Sequence, residues 1–504
     1  MIRQFSDYHR DIHETADVCV IGSGAGGAVA AKELAQKGHS VVLLEEGGHH
    51  TRETWNGKPF KSMVDMFRNG GGTFTLGMPT VSITLGKCIG GTTTINSLTC
   101  FRTPPEILKT WRDELGLAGF TEEYLGPYFE KIEKAIHVTE LPWEVLGNCA
   151  KIIKRGADSL GLNCRPLKHN ALNCRGCGTC QFGCIDGAKQ SMDVTYVPEA
   201  VKSGARVYAH CRAERLMTEN GAVTGVRASL VNPETGKAAH AMTVRARTVI
   251  VACGSLITPS FLKRSGLKNK NIGRNLQIHP GARVCAIMEE KVEGWKGVSQ
   301  GAYIDDFENE GIILEGIFVH PSILLGAFPF IGLPFKELAA QYAHVAAFAA
   351  MIHDTAAGRV YRSGPEGILS TYFINRHDIE LLKKGVAYVA KIFFAAGARK
   401  VLTAFRQMPV LDSPDDVKRL LDLRVKPGDN HEAMAFHPLG TCRMGSSPKT
   451  GAVDSNGESF NVKNLYIADG SVVPTSLGVN PQITIMALAN HIADRVAERL
   501  GRSA

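Results

Sequence analysis

The stretch ADVCVIGSGAGGAVAAKELAQKGHSVVLLEEGG, residues 16–48, decides the fold of this chain. Two short apolar runs, VCVI and VVLL, have the character of buried parallel strands, and Glu45 follows the second run. After the first run, Gly22, Gly24 and Gly27 follow the spacing G-x-G-x-x-G and lead into a segment of helical composition. The order strand, glycine turn, helix and strand predicts the first unit of a Rossmann-like α/β domain.

Each glycine of the turn has a distinct physical role in such a unit. Gly22 permits the tight turn, Gly24 lets a pyrophosphate approach the backbone, and Gly27 lets the helix pack closely on the strand. The helix N-terminus offers N–H groups and partial positive charge to phosphates. Glu45 is placed to accept hydrogen bonds from a ribose diol. The motif therefore predicts a dinucleotide site, without choosing between FAD and NAD.

The length of the chain predicts the number of domains, and its charge bears on the kind of partner that it binds. With 504 residues the chain is too long for one ordinary core, which predicts two or three domains. The net charge of +8 is not gathered in a run of Lys and Arg, which argues against nucleic-acid binding. A mildly basic face for peripheral contact with anionic lipid, or for an acidic electron-transfer partner, remains open.

Two features bear on the location of the protein. The N-terminal residues contain no apolar leader, and the chain has 13 cysteines, which predicts reduced thiols in the cytoplasm or at the inner face of the membrane. The most apolar stretch, residues 317–335, is interrupted by Pro321, Pro329 and Pro334. We therefore interpret it as a buried or interfacial loop and not as a membrane span.

Four cysteines, Cys174, Cys177, Cys180 and Cys184, are spaced C-x₂-C-x₂-C-x₃-C. This is the spacing of a bacterial ferredoxin run, although Ile185 stands where proline usually follows. Small residues between the cysteines let the sulfurs converge, so the segment predicts an iron–sulfur cluster. Zinc is the main alternative, although four sulfurs in so short a run strain a tetrahedron around one ion. Disulfides or free thiols are the third possibility.

Three further segments resemble those of one family of flavoenzymes. They are GKCIGGTTTINSLTCFRTP at 86–104, VIVACGSLITPSFLKRSG at 249–266, and a C-terminal block made of AFHPLGTCRMG at 435–445 and NLYIADGSVVPTSLGVNPQITIMALANHIADRV at 464–496. Together with residues 16–48, and in this order, they resemble the glucose–methanol–choline (GMC) oxidoreductases, FAD-dependent enzymes that oxidise alcohols. The resemblance implies that the dinucleotide is FAD, bound non-covalently.

The resemblance also implies the parts of the FAD site and a division of the chain. Gly91 and Asn96 match the family's first signature, which lies against FAD, and Asp469 matches the aspartate that contacts the flavin chain. A discontinuous FAD-binding domain, a substrate-binding domain built on an antiparallel sheet, and a cysteine-rich iron–sulfur segment are expected. Their limits are 1–100, 195–285 and 430–504 for the first, 101–163 and 286–429 for the second, and 164–194 for the third.

His437 and Asn480 match the family's catalytic pair. Oxidation of an alcohol by hydride transfer to flavin N5 requires removal of the hydroxyl proton, and an imidazole with a pKa of about 6.5 suits that base role. A neutral amide such as Asn480 can hold the alcohol oxygen without competing for the proton. His279 lies in a different motif, and we expect it to be structural.

The cysteine segment indicates where the electrons go. Some GMC dehydrogenases, similar to the catalytic subunits of bacterial sugar dehydrogenases, carry an iron–sulfur site spaced C-x₅-C-x₃-C. Cys174, Cys180 and Cys184 match that spacing and Cys177 is additional, which implies [3Fe–4S] or [4Fe–4S]. A cluster that takes one electron at a time suits a one-electron carrier or an electron-transfer subunit, and hence a dehydrogenase.

The expected small-molecule substrate is a hydrophobic alcohol. Residues 312–351 are rich in Ile, Leu, Phe and Ala and fall in the expected substrate domain. Three alternatives stay open: an O₂-using long-chain alcohol oxidase with zinc or no metal at the cysteines, a sugar or polyol dehydrogenase, and an electron-transfer subunit without alcohol turnover.

Overall fold

The computed structural model of the protein describes residues 1–318, 320–328, 330–364, 366–429 and 431–501. Its strands are β1 Ile2–Arg3, β2 Ile12–Ile21, β3 Val41–Leu44, β4 Ser82–Ile83, β5 Val138–Glu140, β6 Cys164–Pro166, β7 Lys168–Asn170, β8 Arg206–Tyr208, β9 Cys211–Glu219, β10 Ala222–Val231, β11 Ala238–Val251, β12 Gly281–Ile287, β13 Ala302–Ile304, β14 Ile312–Gly316, β15 Val345–Ile352, β16 Arg359–Val360, β17 Ser370–Thr371, β18 Lys400–Leu402, β19 Val410–Leu411, β20 Met434–Ala435 and β21 Leu465–Ile467. Its helices are α1 Ala25–Gln36, α2 Pro59–Met66, α3 Thr92–Ile95, α4 Pro105–Leu115, α5 Glu122–Ala135, α6 Gly147–Ser159, α7 Tyr196–Lys202, α8 Thr258–Arg264, α9 Pro321–Leu324, α10 Leu333–Ala340, α11 Arg376–Ala395, α12 Asp416–Asp422 and α13 Gln482–Gly501.

The first sheet contains the unit formed by residues 16–48. Its strands lie in the order β1-β8-β3-β2-β11-β10-β9, with β21 paired to β11. The pairs from β1 to β11, and the pair of β11 with β21, are parallel, whereas β11, β10 and β9 pair antiparallel. Strands β2 and β3 end in register, so Gly22 and Glu45 follow them at the same edge of the sheet. The prediction of a Rossmann-like α/β domain is confirmed.

Helix α1 brings the two ends of the chain together. It packs against α13 and, through small buried residues, against the sheet. A Cβ at position 27 would lie 1.9 Å from the carbonyl oxygen of Gly22, and a Cβ at position 26 would lie 1.7 Å from that of Ala468. The α1 backbone therefore touches both the glycine turn and the end of β21, and only glycine allows this approach.

The second sheet is mainly antiparallel. Its strands lie in the order β19-β18-β12-β15-β14-β13-β6, and β20 and β4 join it as a parallel pair beside β12. Strand β15 is buried at every position: α11 packs against one face, and Val345 and Ala347 on the other face belong to a second apolar cluster. The chain thus combines a Rossmann-like sheet with an antiparallel one, as the sequence predicts. The domain limits given above stay a prediction.

The apolar stretch 317–335 contains the short helix α9 and the start of α10, which corrects its interpretation as a loop throughout. Helix α9 begins at Pro321, and α10 has Pro334 in its first turn. Proline is tolerated there because the N–H that it lacks would have no partner within the helix. Pro329 lies outside the described residues. Across the described ranges, no helix is both long and apolar enough to cross a bilayer.

Candidate active site

A cavity of about 510 Å³, bounded by residues of both sheets, joins the predicted nucleotide-binding and catalytic residues. The predicted site residues in its wall are Gly22, Gly24, Glu45, Gly91, Asn96, Asp469, His437 and Asn480. Gly27 lies behind this wall in α1, and the four predicted cysteine ligands are not among the described residues that line it. The structure therefore brings all predicted catalytic and most predicted cofactor-binding residues to one cavity.

Three glycines shape the nucleotide end of the cavity. Gly22 has a φ of +99°, and a Cβ there would lie 2.3 Å from the carbonyl oxygen of Ala252. At Gly24 the nearest atom to an added Cβ would be Gly91 Cα, 3.9 Å away. Gly91 itself has a φ of +55°, and its added Cβ would lie 2.8 Å from Gly24 Cα. The two glycine turns thus touch each other, and space remains on the cavity side of Gly24.

Glu45 holds the glycine turn from the end of β3. Its carboxylate accepts hydrogen bonds from the Ser23 N–H at 3.0 Å, the Ser23 hydroxyl at 2.7 Å and the Gly47 N–H at 2.8 Å. The Ser23 hydroxyl oxygen also accepts from the Gly90 N–H at 3.0 Å. Burial raises the pKa of Glu45, and these donors oppose the rise. Glu45 therefore has a structural role beside the predicted contact with ribose, and Ser23 is a site residue that the sequence reasoning missed.

Asp469 connects the middle and C-terminal segments at the cavity wall. Its Oδ2 accepts hydrogen bonds from the Gly254 N–H at 2.8 Å and the Thr258 hydroxyl at 2.5 Å. Its Oδ1 accepts from the Ser471 N–H at 2.8 Å and so caps the short 3₁₀ turn that follows. The carboxylate therefore holds two turns against each other, and its contact with the flavin chain stays a prediction.

Asn96 and Lys189 connect the turn around Gly91 with helix α13 and with the cysteine segment. Asn96 Nδ2 donates to Gln482 Oε1 at 3.0 Å, which ties this turn to the start of α13. The buried Lys189 ammonium donates to the carbonyl oxygens of Thr94 at 2.9 Å and Asn96 at 2.6 Å. It also donates to the carbonyl oxygen of Cys180 at 3.0 Å. Burial lowers the pKa of Lys189 to about 8. Lys189 thus joins the cavity wall to the cysteine segment, a role that nothing in the sequence indicated.

His437 and Asn480 meet at the other end of the cavity. Asn480 Nδ2 lies 3.2 Å from His437 Nε2. Burial lowers the pKa of the His437 imidazole to about 4, so this ring is neutral at pH 7. Among the described residues, neither His437 Nδ1 nor Asn480 Oδ1 has a hydrogen-bond partner, although both atoms are buried. The pair therefore offers a neutral imidazole and unused polar atoms, which a substrate or cofactor can engage.

His279 supports the turn that carries Asn480. Its Nε2 accepts hydrogen bonds from the Leu477 N–H at 2.7 Å and the Gly478 N–H at 3.2 Å, which puts its proton on Nδ1. The His279 ring centroid lies 5.3 Å from that of His437. His279 is thus structural, as the sequence reasoning expects, but its place beside the catalytic pair was not foreseen.

Glu315, in β14, is a further neighbour of Asn480 that the sequence reasoning missed. The two side chains share a hydrogen bond, and burial raises the pKa of Glu315 to about 7. In the described part of the chain, Glu315 Oε2 and Asn480 Oδ1 both lack a partner. The hydrogen bond between the two side chains opposes the rise in the Glu315 pKa, so Asn480 Nδ2 donates it to a Glu315 carboxyl oxygen, and the carboxylate orients the Asn480 amide.

The four predicted cysteine ligands lie in one loop. Cys180 and Cys184 are buried, whereas Cys174 and Cys177 are partly exposed. A hydrogen bond from Cys177 lowers the pKa of the Cys184 thiol, and burial raises the pKa of Cys180 to about 11. Within the described ranges, no three His, Cys, Asp or Glu side chains are arranged to hold one metal ion.

The nucleotide end fits a bound FAD. Among the described residues, no side chain caps the N-terminus of α1, and its first turn carries no acidic residue. Amide groups at a helix N-terminus without a cap favour an anion such as a pyrophosphate. Gly24 leaves the space that such a group needs beside the backbone. The donors and the open space are therefore those of a dinucleotide cradle.

Two models of one family match most of the chain. The GMC oxidoreductase N-terminal model matches residues 63–281 and the C-terminal model matches residues 354–489. A model of pyridine nucleotide-disulphide oxidoreductases matches residues 16–69, which include the glycine turn. The two GMC models therefore cover the turn around Gly91 and the segment with the catalytic pair, and the third model covers the glycine turn of residues 22–27.

Individual relatives agree with this assignment. An uncharacterised GMC-type oxidoreductase of Mycobacterium tuberculosis is 34% identical over 488 residues, which are 96% of this chain and 76% of that protein. The long-chain-alcohol oxidase FAO1 of Arabidopsis thaliana is 32% identical over 98% of this chain and 68% of its own length. The crystal structure of pyridoxine 4-oxidase from Mesorbium loti has the same fold, with a TM-score of 0.72 and 20% identity over 95% of this chain and 98% of that chain. The chain therefore belongs to the GMC oxidoreductase family and is an FAD-dependent oxidoreductase.

Proposed function

We propose that this enzyme oxidises the CH–OH group of a hydrophobic alcohol, with His437 as the base. The main supporting observation is the His437–Asn480 pair at one end of a cavity that continues into the nucleotide cradle. Apolar side chains line the cavity as well, namely Met63, Phe67, Ile317, Ile323 and Phe436. Such a wall favours an alkyl or aromatic substrate over a sugar. The 32% identity to a long-chain-alcohol oxidase supports the same substrate class.

His437 and Asn480 have different roles at the substrate hydroxyl. Because the His437 pKa is about 4, its imidazole is neutral at pH 7 and can accept the hydroxyl proton. The Asn480 amide, 3.2 Å from the imidazole, can donate a hydrogen bond to the alcohol oxygen and hold it beside the base. Bound FAD supplies the acceptor for the hydride that leaves the carbinol carbon.

The substrate class is tested by anaerobic bleaching of the bound flavin with a panel of alcohols. The panel contains primary alcohols of increasing chain length, aromatic alcohols, and glucose with other polyols. We expect the flavin absorbance to bleach with the long-chain or aromatic alcohols and to stay unchanged with the sugars. Bleaching by sugars alone, or by no alcohol, would overturn the proposal.

We infer that the cysteine segment holds an iron–sulfur cluster, with Cys174, Cys180 and Cys184 as ligands and Cys177 as a candidate fourth. The close spacing of the thiols supports this. Lys189 ties this loop to the turn around Asn96, beside the cavity. A cluster held there supplies a one-electron relay to an external carrier.

Iron and acid-labile sulfide analysis of the FAD-loaded protein tests the cluster. We expect iron and sulfide in similar amounts, and their loss in Cys180→Ser. Cys149→Ser, which changes a partly exposed cysteine outside the segment, should keep both. Zinc in place of iron, or no metal in protein purified without oxygen, would refute the inference.

A second candidate is an alcohol oxidase that passes its electrons to O₂. The resemblance to a relative named as a long-chain-alcohol oxidase favours it. The two candidates differ in their electron acceptor, so measuring alcohol turnover in air distinguishes them. One H₂O₂ for each alcohol oxidised would identify an oxidase, whereas turnover that depends on an added one-electron dye would identify a dehydrogenase.

A further inference from the structure

Helix α2 has one apolar stripe that runs from the cavity wall to solvent. Met63 in the helix and Phe67 directly after it line the cavity. Phe60 and Val64 are 82% and 61% exposed, and the spacing i, i+3, i+4, i+7 places all four residues on one face. One short helix therefore carries an apolar face that continues from the cavity wall to a part in contact with water.

The loop after α2 extends this exposed surface. Phe74, Leu76 and Met78 are all more than half exposed. The loop lies against α2, since a Cβ at Gly71 would be 3.0 Å from Met63 Cε. Phe74 also forms a bridge with Ser82, which lines the cavity. We define the apolar rim as the exposed side chains of these two elements, Phe60, Val64, Phe74, Leu76 and Met78.

The charge pattern around the apolar rim is that of a surface that meets lipid. Residues 69–86 contain no Asp, Glu, Lys or Arg, and the same is true of residues 321–335. Ile323 of the second segment lines the cavity, and Ile331 is 93% exposed. The exposed Lys58 precedes α2, and the exposed Lys61, which forms an ion pair with Asp65, lies within it. Apolar side chains beside basic ones are typical of proteins that lie in the headgroup layer of an anionic membrane.

We propose that the apolar rim docks onto a phospholipid bilayer, so that an apolar alcohol passes from the lipid into the cavity. Phe60, Leu76 and Met78 enter the interface, and Lys58 and Lys61 lie against anionic headgroups. The rim shares α2 with the cavity wall, so a docked enzyme would receive its substrate without a passage through water. This inference rests on the proposed function for the identity of the substrate, whereas the docking itself can be measured without turnover.

Co-sedimentation of the FAD-loaded enzyme with protein-free vesicles tests the proposal. The vesicles contain phosphatidylcholine alone or phosphatidylcholine with phosphatidylglycerol. We expect the wild-type enzyme to bind, and to bind more tightly to the anionic vesicles at low salt. The triple variant Phe60→Ser, Leu76→Ser, Met78→Ser should lower the partition coefficient about 10-fold or more. Leu160→Ser, at a leucine that is 48% exposed and not part of the rim, is the matched control and should bind as the wild type does.

Activity assays separate docking from catalysis. The triple variant should reduce its flavin with a water-soluble short-chain alcohol at the wild-type rate and lose rate only with an alcohol dissolved in vesicles. Absence of wild-type binding to either kind of vesicle, or equal binding by the triple variant, would overturn docking. Docking with no flavin bleaching by any alcohol would instead leave the surface established and refute the proposed function.

Discussion

The two ends of the cavity are built in different ways. At the nucleotide end, backbone segments pack so closely that a Cβ added at Gly22, Gly27 or Gly91 would clash with a neighbouring backbone atom. At the catalytic end, the side chains of His437 and Asn480 meet, and each has a buried polar atom without a partner in the described part of the chain. The nucleotide end thus depends on close backbone packing, whereas the catalytic end depends on polar atoms that are free to bind a ligand.

The largest expected effect comes from adding one carbon where the backbone leaves no room. In Gly27→Ala the new Cβ would lie 1.9 Å from the Gly22 carbonyl oxygen, and neither backbone can move without displacing α1 or β2. We expect the free energy of unfolding to fall by at least about 3 kcal/mol, which is a large part of the stability of a typical domain. Thermal or urea unfolding of the variant, followed by circular dichroism, measures this loss.

Gly24→Ala is the matched control for Gly27→Ala, because it should weaken FAD binding without lowering the stability of the fold. The nearest protein atom to its Cβ would be 3.9 Å away, so we expect stability of the apoprotein close to that of the wild type. The same Cβ would occupy the space predicted for the pyrophosphate, and the Kd for FAD should rise about 10-fold or more. Normal FAD affinity in Gly24→Ala would contradict the placement of the cofactor.

At the catalytic end, His437→Ala should slow the chemistry and leave the fold intact. Removal of the base should slow anaerobic flavin reduction by about 10²–10⁴-fold, because general base catalysis contributes an effect of that size. Stopped-flow absorbance of the flavin measures this rate, with His9→Ala, an exposed histidine, as the control. If His437→Ala reduced its flavin at the wild-type rate while keeping its FAD, another group would have to be the base.

The same contrast explains what the sequence could reveal. The glycine turn is predictable because local spacing within residues 16–48 dictates its backbone, and the family motifs identify His437 and Asn480. Glu315 and His279 carry no local signal, because only the pairing of strands and the packing of the 477–480 turn bring them to the catalytic pair. Lys189 was missed for the same reason, since its three acceptors are carbonyl groups that any sequence provides.

The smallest expected effect is a dependence on pH that originates at Glu315. Burial raises the pKa of this carboxyl to about 7, so its proton is present below that pH and is lost as the pH rises through it. Once Glu315 is protonated, it accepts a weaker hydrogen bond from Asn480 Nδ2, and kcat/KM should fall by about 10-fold as the pH falls through about 7, the equivalent of one hydrogen bond. His437, with a pKa of about 4, should give a second decline at lower pH, because its neutral form is required and is lost as the pH falls. The profile of kcat/KM against pH is therefore expected to fall in two steps on its acidic side.

Two variants of Glu315 separate a role in orientation from a role in packing. Glu315→Gln keeps a neutral acceptor at every pH, so the decline near pH 7 should disappear while the acidic limb of His437 remains. Glu315→Ala removes the acceptor altogether and should lower kcat/KM across the whole range, with no decline near pH 7. A decline that persists in Glu315→Gln would assign it to another group. If the decline in kcat/KM near pH 7 disappears in both variants, activity at the catalytic end depends on one proton of Glu315. The nucleotide end, in contrast, depends on glycines that lack a Cβ.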